Sequence, residues 1–251
     1  MIPKIIFRKM SPEENADVIK WAFREDDEFL GVKDYAIKYF PELGKIDDSY
    51  SEEEIDSLIE NVVKKDHIKY KERLNNEVEK YKDIWNNYND RYFEAITKYL
   101  DIKWPEEFKE IVVSVGFIPV FPRYLDTFTF ALGTNISESK LIECAAHESL
   151  HFIWFKKFME LFPDTKRREM DTPYIPWQYS EMVVDPILNS KEIKDILPIK
   201  AKAYDYFYNR DDNIMEDLVN IYNENISIED RIRKGFNLVT ERLTKEEKRK
   251  K

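Results

Sequence analysis

Glycine, histidine and cysteine are scarce in this chain, at 5, 3 and 1 of 251 residues. Gly31, Gly44, Gly116, Gly133 and Gly235 are so dispersed that neither G-x-G-x-x-G nor G-x-x-x-x-G-K-[ST] can be written anywhere. The standard dinucleotide and P-loop phosphate cradles are therefore excluded. One cysteine, Cys144, forms neither an internal disulfide nor a cysteine-rich zinc knuckle, and it suits a reducing compartment. Long apolar runs are missing too. The stretch from Met1 to Phe7 is too short for a secretory signal before Arg8 and Lys9 intervene, and no later segment has the apolar length of a bilayer span. Concentrated positive charge is also lacking. The 40 Lys plus Arg stand against 50 Asp plus Glu, and the basic residues are scattered except in Lys245 to Lys251, which reads as a solvated, frayed end. The expectation is a soluble, cytoplasmic protein with no nucleic-acid or membrane partner.

What is present is a core-forming chain, with 43% hydrophobic and 14% aromatic residues. Lys4 to Arg8 reads as a short strand. Ser11-Pro12-Glu13-Glu14 then supplies an N-cap, a proline at the first helical position and a capping-box glutamate for a helix through Phe23. A second capping box, Ser51 to Glu54, opens a helical pattern that no Pro or Gly interrupts as far as Ile102, with apolar residues at spacings of three and four. One very long helix, or two joined near Asp66 and His67, is expected there, ended by Pro105. Ile111 to Val115 and Thr127 to Ala131 are β-branched and aromatic, with Pro119, Pro122 and Asp126 between them, and predict a hairpin or two neighbouring strands. An apolar helix follows from Glu138 to Leu161, and another from about Trp177 that Pro186 kinks or ends. Two or three helices occupy Glu192 to Arg242. The fold class expected is α+β and predominantly helical, with a small sheet beside the Glu138 helix. A helical N-terminal region would span 1–104, and a second domain 105–251.

Two of the three histidines stand in His147-Glu148-Ser149-Leu150-His151, an H-E-x-x-H on the Glu138 helix. Four residues are about one turn, so both imidazoles project from one face and can hold one ion. Glu148 is rotated by about 100° from His147, too far for a ligand but within reach of a water on the metal. By composition alone such a motif would arise in about half a percent of sequences of this kind, which favours metal over coincidence. An open zinc centre needs a third protein ligand. His67 reads as an exposed helix-surface histidine, so a carboxylate is expected. Glu143 is about 12 Å along the axis from His151 and is excluded as a shared ligand. Glu181 is the better candidate, on a helix returning antiparallel to the first, with Asp164, Asp171 and Asp185 as rivals. Asp185, one turn beyond Glu181, is placed to accept the N–H of a metal-bound imidazole. Cys144, flanked by Ile142, Ala145 and Ala146, reads as a small buried hydrophobe rather than a nucleophile.

H-E-x-x-H on one helix, followed 30 residues later by Glu181-x-x-x-Asp185 on another, resembles the gluzincin group of zinc metallopeptidases, to which thermolysin belongs. The resemblance covers about Phe117 to Leu188. Ser180 stands where the group has an asparagine before its ligand glutamate, and no G-x-M-E-N sequence occurs, so aminopeptidase activity is not implied. The resemblance implies one zinc per chain on His147, His151 and Glu181, with Glu148 as general base and Asp185 as partner of His147. It implies hydrolysis of a peptide or protein substrate by a zinc-activated water. It also implies that the strand of Thr127, Thr129, Ala131 and Gly133 is a sheet edge to which a peptide adds. An oxyanion donor is expected among Tyr174, Tyr179 and Tyr204. The competing expectations are an inactive module that keeps the helix pair as scaffold, and a zinc hydrolase of non-peptide amides or esters.

Overall fold

The computed structural model describes residues 2–24, 31–106, 108–118 and 122–249. Among them, the strands form one four-stranded mixed sheet in the order β1-β2-β4-β3, and the rest of the regular structure is helical. The fold is therefore α+β and predominantly helical. Two compact units are interleaved along the chain. One is formed by Lys4–Asn87 and Glu110–Leu141, the other by Tyr88–Lys109 and Ile142–Lys251 together with Pro3.

In the first unit, β1 (Lys4–Lys9) runs parallel to β2 (Glu110–Gly116) along its whole length, from Lys4 opposite Glu110 to Lys9 opposite Val115. A cut near Trp104-Pro105 would sever this ladder, so the expected division at that point does not separate the units. β1 alternates as a half-buried strand does, with Ile5 and Phe7 inward, whereas β2 is buried from Val113 to Gly116 as an interior parallel strand should be. β4 (Thr129–Gly133) is also parallel to β2, so the two expected neighbours are real but are not a hairpin. The connection between them folds back as β3 (Arg123–Tyr124), antiparallel to β4. Pro119, expected in that connection, lies outside the described residues.

This corrects the expectation of a free peptide-binding edge at Thr127, Thr129, Ala131 and Gly133. β4 is interior: Thr129 and Phe130 pair with Tyr124 and Arg123, and Ala131 N donates to Pro122 O at 3.0 Å. Thr127 precedes the strand and shares a 2.8 Å hydroxyl contact with Thr129.

The helices of this unit begin where local chemistry says they should. Ser11 Oγ accepts from Glu14 N while Glu14 Oε2 accepts from Ser11 N, opening α1 (Pro12–Arg24), and Ser51 and Glu54 repeat the arrangement at α3 (Glu52–Lys69). Between them lie α2 (Val32–Tyr39) and a 3-10 turn at Pro41–Lys45. The long helical pattern breaks at Tyr70 rather than at Asp66 and His67, and again after Asn86. It thus yields α3, α4 (Lys71–Asn86) and α5 (Asn89–Tyr99), the last in the second unit. Asn87 explains the second break, because its amide donates to Asp83 O and Ile84 O and competes with the helical ladder. α4 packs on the sheet through Tyr81, whose ring meets Phe7 edge-on and whose hydroxyl donates to Gly133 O at 3.0 Å.

The second unit is built on α6 (Glu138–Leu161), which belongs to it from Ile142 onward. Phe152, Ile153, Trp154 and Phe155 are all buried, so α6 is a core helix there. Its packing partners include α7 (Ile175–Met182), through Tyr179 against Trp154 and Phe158. The expected Trp177 helix is interrupted at Val183 and resumes as α8 (Val184–Leu188). Pro186 has no N–H to donate to Met182 O four residues before it, and the helix breaks at that point, as expected of a proline that kinks or ends it. Two one-turn helices follow, α9 (Lys191–Lys194) and α10 (Asp205–Tyr208), and then α11 (Ile214–Tyr222) and α12 (Ile228–Arg249). The basic tail is helical to Arg249, while Lys250 and Lys251 lie outside the described residues. Gly235 of α12 has a packing reason: a Cβ there would lie 2.4 Å from the Tyr179 hydroxyl. Among the described residues, no helix is long and apolar enough to cross a membrane.

Candidate metal centre

α6 presents His147 and His151 one turn apart, and α7 brings Glu181 to both. Glu181 Oε2 lies 3.0 Å from His147 Nε2, and Glu181 Oε1 lies 3.4 Å from His151 Nε2. One donor atom from each residue lies within 4.8 Å of the others, and among the described residues no other trio of His, Cys, Asp or Glu converges in this way. Donors of a tetrahedral zinc bound at about 2 Å are separated by about 3.3 Å, and two imidazoles with one carboxylate are the ligand set of an open zinc site. The residues present therefore fit the ion.

Burial is graded across the cluster. His151 and Glu181 are enclosed, whereas the side chains of His147 and Glu148 keep 17% and 10% of their surface. The more accessible side is thus the one carrying His147 and the carboxylate outside the trio. Glu148 Oε1 lies 3.9 Å from His147 Nε2, beside the trio without joining it. Burial alone would raise the Glu181 carboxyl, but His151 and His147 together hold it well below the usual carboxylate range. It is an anion in an enclosed site, as a metal-binding carboxylate must be.

The other expected residues divide. Asp164 and Asp171 are both exposed and outside the trio, and Asp171 accepts from Arg167 at 2.7 Å. Asp185 is not directed at His147. Its Oδ2 accepts the Tyr208 hydroxyl, and its Oδ1 accepts from Asn189 Nδ2 at 2.6 Å, while Asn189 also bonds Ala201 through both amide atoms. Asp185 thus ties α8 to the segment leading into α10. Tyr179 is removed as an oxyanion donor. It is fully buried, and its hydroxyl donates to Ile232 O at 3.0 Å and meets the Tyr222 hydroxyl at 2.9 Å. Tyr174 and Tyr204 are exposed at the N-caps of α7 and α10, the Tyr204 ring 6.4 Å from that of Trp177. Cys144 is buried, as its apolar flanks suggest.

Sequence reasoning missed what holds α6 in place. Tyr92 on α5 donates its hydroxyl to Ala146 O, next to His147, at 2.7 Å, and Ser149 Oγ bonds back to Ala145 O. Farther along α6, the buried Lys157 donates to Asp101 O and pairs with Glu229 at the start of α12. The signal for Tyr92 was only its membership in a tyrosine-rich stripe, since its partner lies 54 residues away. His67, expected to be exposed, is half-buried, and its Nε2 is 2.7 Å from Asn15 Nδ2 within the first unit. Comparison with known protein families, with curated proteins and with solved structures gives no match for this chain.

Proposed function

We propose that this chain is a zinc-dependent peptidase of gluzincin type, with His147, His151 and Glu181 as zinc ligands and Glu148 as general base. The reading is carried by one observation: the two imidazoles of the H-E-x-x-H turn and a buried carboxylate from a separate helix bring their donor atoms within 4.8 Å of one another. Zinc, when bound, would polarise a water and the scissile carbonyl. Glu148, on the accessible side, takes the proton of the attacking water and returns it to the departing nitrogen as the C–N bond breaks. Burial of His151 and Glu181 keeps bulk water from competing at two of the three ligands. The buried Cys144, the single cysteine of the sequence, fits a reducing compartment, and the activity is assigned to the cytoplasm.

Metal analysis and hydrolysis of a peptide library test the proposal together. The wild-type chain should hold one zinc and cleave peptides. Glu148→Gln should hold the same zinc while its turnover falls by about 10²–10⁴-fold. A chain that takes up no zinc on reconstitution would overturn the reading. Zinc binding with cleavage of simple esters or amides but of no peptide would replace peptidase with another zinc hydrolase.

A further inference from the structure

The third histidine lies in the other unit, in a relay that the zinc reading does not use. Asn15, on α1 and 2% exposed, connects three segments. Its Oδ1 accepts from Phe117 N at 3.0 Å, just past the end of β2, and its Nδ2 lies 2.7 Å from His67 Nε2 on α3 and 3.4 Å from Ser11 O. A backbone N–H only donates, so the Phe117 bond fixes which amide atom of Asn15 is oxygen. His67 Nε2 consequently faces an N–H donor and must be the accepting nitrogen, with the proton on Nδ1.

We infer that His67 is a proton-operated latch: neutral, it accepts from Asn15 and so holds Asn15 on Phe117 N, and protonated, it releases that hold. An imidazolium has no accepting nitrogen, so its Nε2–H would face the Asn15 N–H donor. Rotating the Asn15 amide to offer its oxygen to His67 would turn its nitrogen onto the Phe117 N–H. Each orientation loses one of the two bonds. Gly116 packs closely against the amide on one side, since a Cβ there would lie 2.5 Å from Asn15 Oδ1 and 2.5 Å from Met10 Sδ.

The surroundings favour the neutral form. The His67 ring lies edge-on to Phe117 at 4.8 Å, and Phe117 is itself packed by Tyr39, Phe40 and Tyr70. The charged groups that face His67 are Glu13 of α1 and Lys9 at the end of β1, of opposite sign. Burial lowers the imidazole below its ordinary value, with Glu13 opposing and Lys9 assisting. The element released is the start of the connection from β2 to β3, where Phe117 anchors the chain in this aromatic cluster.

Amide exchange of the whole chain, read as the protection factor of Phe117 N–H, tests the latch. Wild-type protection should fall by about tenfold between pH 7.5 and pH 5, the effect of one lost buried hydrogen bond. His67→Gln, which can accept from Asn15 without titrating, should retain protection at both values. Asn15→Asp, whose carboxylate can accept from both Phe117 N–H and an imidazolium, should raise the His67 pKa and reverse the sense of the pH dependence. Imidazole titration by NMR in the wild type guards against misfolding of that variant. A His67 that is charged at pH 5 with Phe117 protection unchanged would overturn the latch, as would a dependence that persists in His67→Gln.

Discussion

The surroundings of His147 and His151 differ from those of His67 in one respect that decides their chemistry. The first pair shares an enclosed carboxylate, with a second carboxylate 3.9 Å from His147 Nε2, whereas His67 meets a neutral amide whose other end is committed to the backbone. Converging imidazoles and a carboxylate leave lone pairs directed at a common point, which a cation satisfies. An amide N–H occupies the one lone pair of a neutral imidazole and leaves none for an ion. Both arrangements lie on helices, and both contain a histidine with a buried polar partner. Burial and helical position therefore do not single out a candidate metal ligand; the charge and number of the converging partners do.

Zinc uptake should separate the two regions most sharply. His151→Ala removes one of the three proposed ligands and should weaken zinc binding by more than about 100-fold, while His67→Gln should bind like wild type in a chelator competition. Equal losses in the two variants would erase the distinction. Backbone packing should give the next effect. Gly116→Ala drives a Cβ into Asn15 Oδ1, which is pinned from both sides, and should cost about 1–3 kcal/mol in denaturant unfolding with zinc stoichiometry intact. Tyr92→Phe, which takes a buried hydroxyl from Ala146 O, should cost about 1 kcal/mol, because that carbonyl keeps its place in the helical ladder. If it also lowered zinc affinity, Tyr92 would be shown to position His147 rather than merely to brace α6.

The smallest effect is the pH dependence of stability arising from His67. Its folded pKa lies below the unfolded value of about 6.5, so the unfolded chain binds the proton first. Stability is therefore complete above that value and declines as pH falls through the folded pKa. His67→Gln should flatten this part of the profile, and a wild-type curve already flat between pH 7 and pH 5 would contradict the assignment.

Much of the secondary structure was legible because its causes are local. The capping boxes at Ser11 and Ser51 begin helices as written, and the Glu138–Leu161 helix has the expected bounds. Where reading failed, the residue letters did not mark the outcome. Tyr70 ends α3 with no Pro or Gly to mark it, and Asn87 ends α4 by a side-chain bond that its letter alone does not announce. The edge that the resemblance implied at β4 is covered by β3, and that two-residue strand is too short to carry a pattern of its own.

What the sequence by itself determined is the His147, Glu148 and His151 turn, because helical periodicity alone puts both imidazoles on one face and turns Glu148 aside. It also made a carboxylate the expected third partner, since the only remaining histidine is His67. Tertiary structure alone decided that Glu181, not Asp164 or Asp171, meets the pair, that Asp185 turns to Tyr208 and Asn189, and that Tyr179 joins the core. Those choices depend on the angle at which separate helices pack and on where a helix breaks, and neither follows from the spacing of residues within one of them.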